Sequence, residues 1–321
     1  MTQSLALVFP GQGSQHLGML RELAERYSVV RTTFEEASEA LGYDLWHVVQ
    51  EGPEEALNAT ACTQPALLTS SVAIWRVWQE LEGPRPLVMS GHSLGEYSAL
   101  VCGGALSFAE GVRLVRLRGE AMQQAVPAGE GAMAAVLGLD DAAVEQACAD
   151  AAQGAVVSAV NYNAPGQVVI AGNKAAVDRA VALCQEAGAK RALPLPVSVP
   201  SHCALMRPAA ERLAEAMKDI ELKTPRYTVI QNVDAHAHAD VETLRTRLIE
   251  QLYQPVRWTA CVEAMTGLGA EVIVECGPGK VLTGLNKRVA KGAKGLAVND
   301  PDSLSAALEL ARDRAGQQVN D

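Results

Sequence analysis

The chain has 321 residues, of which 49% are hydrophobic and 20% are charged, and its formal net charge at pH 7 is −10. This length is enough to bury a sizeable core in one large domain or in two smaller ones. The acidic balance and the lack of a long basic run argue against nucleic acid as the main partner, and the absence of a long apolar segment argues against a membrane.

Strand-like apolar segments alternate with longer amphipathic segments in the first part of the chain. The pattern predicts a strand at residues 5–9, helices at 19–28, 32–41 and 63–81, and a strand that begins near Leu87. Beyond residue 199 it predicts helices at 208–218, 241–252 and 259–267 and strands at 227–231 and 272–276. Such alternation is typical of an α/β domain with a central parallel sheet.

The order of elements changes between about residues 129 and 199. The segments there predict strand 132–137, helix 141–151, strands 156–161 and 167–171, helix 174–187 and strand 189–197. This βαββαβ order is the ferredoxin-like arrangement. We therefore predict a large α/β domain of residues 1–127 and 199–321, interrupted by an inserted ferredoxin-like subdomain of residues 128–198. The polar tail, residues 312–321, is expected to fray.

The cysteines and the paired histidines give no sign of a disulfide framework or a metal site. Seven cysteines are scattered along the chain without a CxxC pair, which is typical of reduced thiols and predicts a cytoplasmic protein. His236 and His238 lie in a polar segment that we interpret as a solvated loop rather than a metal site.

The segment Gly91-His92-Ser93-Leu94-Gly95 joins the strand near Leu87 to a predicted helix at residues 94–101. A GxSxG sequence between a strand and a helix is typical of a nucleophile elbow, in which the serine hydroxyl is exposed on a tight turn. Ser93 is therefore the candidate nucleophile. The alternative is a glycine-rich structural turn, because a single GxSxG also arises by chance.

A serine nucleophile needs a base, and His202 is the best candidate among the six histidines. It follows the strand-like residues 195–201 and precedes a helix, so it lies at the carboxyl end of a strand, where α/β folds carry their chemistry. A histidine that only packs at a helix start is the alternative. The amide of Leu94 and an amide of the loop at residues 10–15 could form an oxyanion hole, and the glycine spacing of that loop fits no nucleotide-binding motif.

The predicted helix at residues 108–125 carries one arginine on the wrong face. Arg113 and Arg116 project with polar residues, whereas Arg118 falls in the middle of the apolar arc. A buried guanidinium needs an anionic partner, because it cannot lose its proton. That partner is either a carboxylate of the protein or a carboxylate of the substrate held in a two-pronged hydrogen bond.

Taken together, these residues resemble the malonyl-CoA:acyl carrier protein transacylase family of acyltransferases. The resemblance covers nearly the whole chain, and several motifs occur in the family's order. They are Phe9-Pro-Gly-Gln-Gly-Ser-Gln15, Thr63-Gln-Pro-Ala-Leu67, Gly91-His-Ser-Leu-Gly-Glu96, the Arg118 helix, the segment from Asn161 to Gly172, Val199-Pro-Ser-His202 and Gln251-Leu-Tyr-Gln-Pro-Val-Arg-Trp258. The family's fold is a hydrolase-like α/β domain with a ferredoxin-like insertion, which agrees with the pattern above.

The resemblance implies a role for each matching residue. Ser93 would carry the malonyl group as an ester, His202 would be its base, and the backbone carbonyl of Gln251 would orient the histidine in place of a carboxylate. The amides of Gln12 and Leu94 would form the oxyanion hole, and Arg118 would bind the malonyl carboxylate. Gln64 would line the pocket, and His92 would help to bind the substrate. The implied mechanism is ping-pong, without a cofactor or a metal, and we expect a monomer.

The implied partners are malonyl-CoA, with CoA as leaving group, and an acyl carrier protein. Carrier proteins of this kind are acidic, so an enzyme of net charge −10 needs a local basic surface to bind one. The densest cationic run contains Lys280, Lys287, Arg288, Lys291 and Lys294. We predict that this run helps to dock the carrier, and the alternative is a basic helix that is merely solvated.

Two other functions remain open at this point. A serine esterase or thioesterase would share the elbow and the base but would deliver the acyl group to water. A non-enzymatic carrier-binding or scaffold subunit would keep the fold without the chemistry. The sequence favours fatty acid synthesis over a trans-acting role in a polyketide or malonate pathway without deciding between them.

Overall fold

The computed structural model describes residues 4–197 and 199–317, and within these residues nine strands form two separate sheets. The strands are β1 (Leu5–Phe9), β2 (Val88–Gly91), β3 (Gly131–Leu137), β4 (Val157–Ala164), β5 (Gln167–Asn173), β6 (Arg191–Pro194), β7 (Thr228–Ile230), β8 (Val272–Cys276) and β9 (Lys294–Val298).

The helices surround these sheets and account for most of the remaining chain. They are α1 (Arg21–Arg26), α2 (Ser28–Leu41), α3 (Leu45–Glu51), α4 (Glu54–Asn58), α5 (Thr60–Glu80), α6 (Leu94–Cys102), α7 (Phe108–Gln124), α8 (Asp141–Ala152), α9 (Lys174–Glu186), α10 (Arg207–Met217), α11 (Val241–Glu250), α12 (Trp258–Gly267), α13 (Val281–Val289) and α14 (Pro301–Gln317). A short 3₁₀ turn, Ala204–Met206, precedes α10.

The central sheet is parallel, with strand order β7-β2-β1-β8-β9. All five residues of β1 are buried, as are all five of β8, which fits strands covered by helices on both faces. The predicted α/β class with a central parallel sheet is therefore confirmed. The carboxyl ends of β1 and β2 lie side by side, with Phe9 paired to Gly91, so the residues that follow these two strands meet at one edge.

The second sheet is antiparallel, with strand order β4-β5-β3-β6. Its elements follow one another as β3, α8, β4, β5, α9 and β6, in the predicted order. Backbone hydrogen bonds join it to the rest of the chain: the N–H of Val256 donates to Val160, and the N–H of Tyr162 donates to Val256, at 2.8 and 3.0 Å. The antiparallel sheet is thus anchored beside the parallel one.

Several element boundaries in the structure differ from those predicted from the sequence. The strand predicted at 189–197 is confined to β6, because Pro194 and Pro196 cannot donate to a ladder. α14 continues to Gln317, past Arg312, where the tail was expected to begin to fray. Ser198 and residues 318–321 lie outside the described residues. The pattern missed α3, α4, α13, β9 and α14.

Two further observations concern the chain as a whole. All seven cysteines are free thiols, and six of them are buried. Among the described residues, none of the helices combines the length and the hydropathy needed to cross a bilayer.

Candidate active site

Ser93 occupies the turn between β2 and α6 in a strained backbone conformation, with φ 53° and ψ −109°. The two flanking glycines allow the chain to pack this tightly. A Cβ atom on Gly91 would lie 1.9 Å from the carbonyl carbon of Gly95, and a Cβ atom on Gly95 would lie 2.0 Å from the carbonyl oxygen of Phe9. Side chains at either position are excluded, so the predicted elbow geometry is present.

A chain of two hydrogen bonds links Ser93 to a backbone carbonyl through His202. The Nε2 atom of His202 lies 2.8 Å from Oγ of Ser93, and its Nδ1 atom lies 2.7 Å from the carbonyl oxygen of Gln251. Because a carbonyl oxygen only accepts, Nδ1 carries the proton and Nε2 is free to accept from the serine hydroxyl. The sequence prediction that His202 and Gln251 meet Ser93 agrees with these distances.

His202 is 3% exposed, and burial together with the positive charge of Arg118 lowers the pKa of its imidazole to about 3, burial being the larger cause. The ring is therefore neutral at pH 7, which is the form that can take a proton from Ser93. In place of the carboxylate of a triad, the partner of Nδ1 is a neutral carbonyl. The imidazolium formed during a reaction is stabilised less here than in a serine-histidine-aspartate triad.

Arg118 is 1% exposed, and its guanidinium meets only neutral groups. Nη1 donates to Oε1 of Gln64 at 3.0 Å, and Nη2 donates to Oε1 of Gln251 at 3.0 Å and to Oγ of Ser93 at 3.2 Å. In the part of the chain that the structure describes, no carboxylate lies within 4.0 Å of it. The alternative of a direct salt bridge within the protein therefore fails for these residues.

Ser93 opens into a pocket of about 290 Å³. Its lining includes the predicted residues Gln12, His92, Leu94, Arg118 and His202, together with Asn58, Thr60, Met122, Gln123, Met133, Asn161, Leu195, Pro196, Val197, Val199 and Ser201. Leu94 is the first residue of α6, so its amide has no partner within the helix and faces the turn. The pocket therefore combines a nucleophile, a base, a cation and backbone donors.

Of two residues that were expected to contact the substrate, His92 lies in the pocket wall and Gln64 lies outside it. Gln64 is buried behind Arg118, and its Oε1 accepts a hydrogen bond from Nη1 of that arginine. The family resemblance implied a place in the pocket wall instead. His92 lies in the pocket wall, with Nε2 2.7 Å from Oδ1 of Asn163. Burial lowers the pKa of His92, so it is a neutral hydrogen-bonding group at pH 7.

Sequence reasoning missed Asn232 and Glu96, which lie beneath the elbow. Oδ1 of Asn232 accepts from the N–H of Ser93 at 2.8 Å, and its Nδ2 donates to the carbonyl of Gly91 at 2.7 Å. Glu96 is buried three residues after the nucleophile. The polar pair Gln231-Asn232 directly after the buried β7 was the available signal, because the carboxyl end of a parallel strand is a common site of function.

The residues of the predicted basic surface are exposed and lie apart from the pocket lining. Lys280 caps α13, Lys287 and Arg288 are in its last turn, and Lys291 follows it. The guanidinium of Arg288 donates to the carbonyl of Pro165, at 2.7 Å, and to Oε1 of Gln167. Arg288 therefore already holds the turn between β4 and β5, whereas the lysines have exposed side chains.

Comparison with known proteins adds an independent line of evidence. A family model described as acyl transferase domain matches residues 6–313. The malonyl CoA-acyl carrier protein transacylase of Escherichia coli is 59% identical over 310 residues, which are 97% of this chain and 100% of that protein. An acyl carrier protein S-malonyltransferase from Vibrio cholerae, known from a crystal structure, is 63% identical in sequence to this chain, with a TM-score of 0.94. The match covers 95% of this chain and 99% of that one.

A second solved structure contains a malonyl-transacylase in complex with a type II PKS acyl-carrier protein. It is 58% identical to this chain, with a TM-score of 0.94, and the match covers 96% of this chain and 99% of that one.

The neutral state of His202 predicts an unusual pH dependence for the reactivity of Ser93. A fluorophosphonate reagent should label Ser93 at a rate that stays level from about pH 8 to about pH 5, whereas an ordinary histidine, with a pKa of about 6.5, would be mostly protonated at the lower pH. The rate is measured by intact mass after brief exposure, with circular dichroism to verify folding at each pH. His202→Ala should lose labelling and His47→Ala, at an exposed histidine, should retain it; because burial raises the pKa of Glu96 to about 7, the profile is also recorded in Glu96→Gln, where an acid limb near pH 6.5 would contradict the prediction.

Proposed function

The chain belongs to the malonyl-CoA:acyl carrier protein transacylase family of acyl transferases, and we propose that it transfers a malonyl group from malonyl-CoA to the phosphopantetheine thiol of an acyl carrier protein. One observation carries the proposal: the hydroxyl of Ser93 contacts both a neutral imidazole and a buried guanidinium, and among the described residues no carboxylate lies within 4.0 Å of that guanidinium. The first contact supports acyl transfer and the second supports an acyl group that bears a negative charge.

The first half-reaction acylates Ser93. His202 takes the hydroxyl proton on Nε2 while Oγ attacks the thioester carbonyl, and the oxyanion accepts hydrogen bonds from the amides of Gln12 and Leu94. Collapse of the tetrahedral intermediate breaks the carbon–sulfur bond. CoA leaves as a thiol with the proton from His202, and the malonyl group remains on Ser93 as an ester.

The second half-reaction delivers the malonyl group to the carrier. The carrier's thiol gives its proton to His202, its sulfur attacks the ester carbonyl, and Ser93 recovers the proton as it leaves. A thiol has a pKa of about 8.5, far below that of water at about 15.7, so it needs a weaker base. A histidine oriented by the neutral carbonyl of Gln251 therefore favours a thiol acceptor over water.

Arg118 selects the acyl group. The free carboxylate of malonate can accept two parallel hydrogen bonds from the guanidinium in a site shielded from water, where such bonds are strong. Its charge also offsets the cost of burying Arg118. A simple esterase has no use for a buried cation beside its nucleophile, and a scaffold subunit has no use for the hydrogen bonds between Ser93, His202 and Gln251.

The proposal includes the finer features of the fold and the setting. We take residues 1–127 and 199–321 as a hydrolase-like domain and residues 128–198 as a ferredoxin-like insertion whose β3 and β6 ends supply Met133 and Leu195 to the pocket. We also propose that the protein acts as a monomer in the cytoplasm, without a cofactor, and that its malonyl-carrier product serves fatty acid synthesis.

The proposed function is tested by following the malonyl group by intact mass. Purified protein mixed with malonyl-CoA should gain one malonyl unit, which peptide mapping should assign to Ser93. Addition of a carrier protein bearing phosphopantetheine should move that unit to the carrier, and Ser93→Ala should form neither adduct. Release of free malonate with no malonyl carrier would instead identify a hydrolase and contradict the proposal.

The basic surface is tested separately through the affinity for the carrier. The double variant Lys287→Glu with Lys291→Glu should raise the apparent KM for the carrier about tenfold at low salt, because an acidic partner loses attraction that salt also screens. Arg288 is left unchanged, since it holds the β4–β5 turn. Malonylation of Ser93 should not change.

The matched control reverses the same charges elsewhere, in Lys218→Glu with Lys223→Glu, two exposed residues that follow α10. This control should leave the KM for the carrier near that of the unmodified protein. An equal rise in both double variants would mean that only net charge matters, and no rise in either would remove the docking role.

A further inference from the structure

Glu96 is a fully buried carboxyl group that the mechanism above leaves without a role. It lies in the first turn of α6, three residues after Ser93, and its own N–H donates to the carbonyl of Ser93 at 3.1 Å. A carboxyl group without solvent is costly unless hydrogen bonds satisfy it. Its partners therefore show what it does.

Three N–H donors from two other segments converge on the Glu96 carboxyl group. Oε1 accepts from Nε2 of Gln231 at 3.0 Å, and Oε2 accepts from the backbone N–H of Asn232 at 2.7 Å and from Nε2 of Gln251 at 3.0 Å. All three partners donate an N–H group, so the Glu96 carboxyl group acts as an acceptor in each of these hydrogen bonds.

The contact with Gln251 fixes which way that side-chain amide faces. Because Nε2 donates to Glu96 and to the carbonyl of Ser93, Oε1 is turned toward Arg118, from which it accepts at 3.0 Å. The backbone of the same residue accepts from His202. One carboxyl group thus holds the residue that orients both the base and the guanidinium.

The contact with Asn232 acts on the nucleophile. The backbone of Asn232 donates to Glu96, while its side chain accepts from the N–H of Ser93 and donates to the carbonyl of Gly91. These bonds hold both sides of the elbow at the residue with φ 53°. A strained conformation persists only where the surroundings fix it, and Glu96 ties the fixing residue to α6.

We propose that Glu96 is a positioning residue of the transfer reaction, whose acceptor oxygens hold Gln251 and Asn232 so that His202, Arg118 and the Ser93 elbow keep their reactive geometry. The proposal rests on the proposed function. Its physical content is reach rather than charge: the oxygens must extend far enough from α6 to meet both donors at once.

Two conservative variants separate reach from charge. Glu96→Gln has the same length, and its single oxygen can still accept from Asn232 and Gln251, both of which bind one oxygen of the glutamate. Its NH₂ group then faces Gln231, whose Oε1 has no partner and can accept from it when the amide turns, with loss of the hydrogen bond from Nε2 of Gln231 to the carbonyl of Leu244. Glu96→Asp keeps the charge but is one methylene shorter, so it cannot reach both donors.

Single-turnover acylation of Ser93 by malonyl-CoA, followed by quenching and intact mass, gives a rate constant and an amplitude for each variant. The assay is run at about pH 8, above the pKa of about 7 to which burial raises Glu96. We expect Glu96→Gln within about tenfold of the unmodified protein and Glu96→Asp slowed about 100-fold, because a shift of about 1 Å can cost that much. The amplitude should stay near one per folded chain.

Glu275 provides the matched control. It is equally buried, and its carboxylate accepts only from the start of α13, at Leu282 and Thr283. Glu275→Gln and Glu275→Asp should lower the melting temperature and leave the acylation rate constant of the folded fraction unchanged.

The outcomes are distinct. A Glu96→Asp that acylates as fast as Glu96→Gln or faster, or two Glu96 variants that lose amplitude but keep the normal rate constant, would overturn the positioning role. If the unmodified protein forms no malonyl-Ser93, the proposed function itself fails, whatever the variants do.

Discussion

The whole site is organised around a buried guanidinium that makes no direct ion pair with a carboxylate of the described residues; Gln251 separates it from the carboxyl group of Glu96. Arg118 cannot shed its proton, so its charge stays in a region of low dielectric and acts on everything nearby. The amide oxygens of Gln64 and Gln251 accept from Nη1 and Nη2 without cancelling that charge, and the buried Nε–H is left without a partner among the described residues. The charge also disfavours a positive charge on the nearby His202, and burial and this cation together lower the pKa of that imidazole. An anionic acyl group would stabilise both the buried guanidinium and the imidazolium that forms during the reaction.

The second constraint is the narrow geometry in which the nucleophile is held. Phe9 pairs with Gly91 across two parallel strands, and Gly95 packs against the same carbonyl of Phe9, so β1, β2 and α6 approach as closely as backbones can. Ser93 is exposed at this crossing in a conformation that few residues adopt. The base reaches it from another part of the chain, and a carbonyl at the end of α11 orients that base. Rigid elements therefore supply the precision that a carboxylate supplies in a triad.

Local patterns in the sequence predicted the parts of this site that depend on local structure. The elbow is encoded in five consecutive residues, and the burial of Arg118 follows from helical periodicity alone, so both were visible before the structure. The positions of Glu96 and Asn232 were not, because their hydrogen bond joins residues 136 apart, and nothing in either neighbourhood specifies the other. Gln64 was expected in the pocket wall only because the family resemblance implies it, and its contact with Arg118 joins residues 54 apart, which no local pattern specifies. The element order of the second sheet was predictable, whereas β9 was not, because its first two residues, Lys294 and Gly295, are exposed and break the apolar run.

The central claim is that Arg118 is buried to bind the charge of the acyl group, and acyl-group selectivity tests it most directly. The measurement is kcat/KM for malonyl-CoA divided by kcat/KM for acetyl-CoA, in the unmodified protein, in Arg118→Ala and in Arg116→Ala, whose arginine makes a surface ion pair with Glu120. The account predicts that Arg118→Ala lowers this ratio about 100-fold, or ~3 kcal/mol for a lost charged hydrogen bond, and that Arg116→Ala leaves it unchanged. An Arg118→Ala protein that slows with both substrates equally would contradict the account, because the guanidinium would then serve only the architecture of the site.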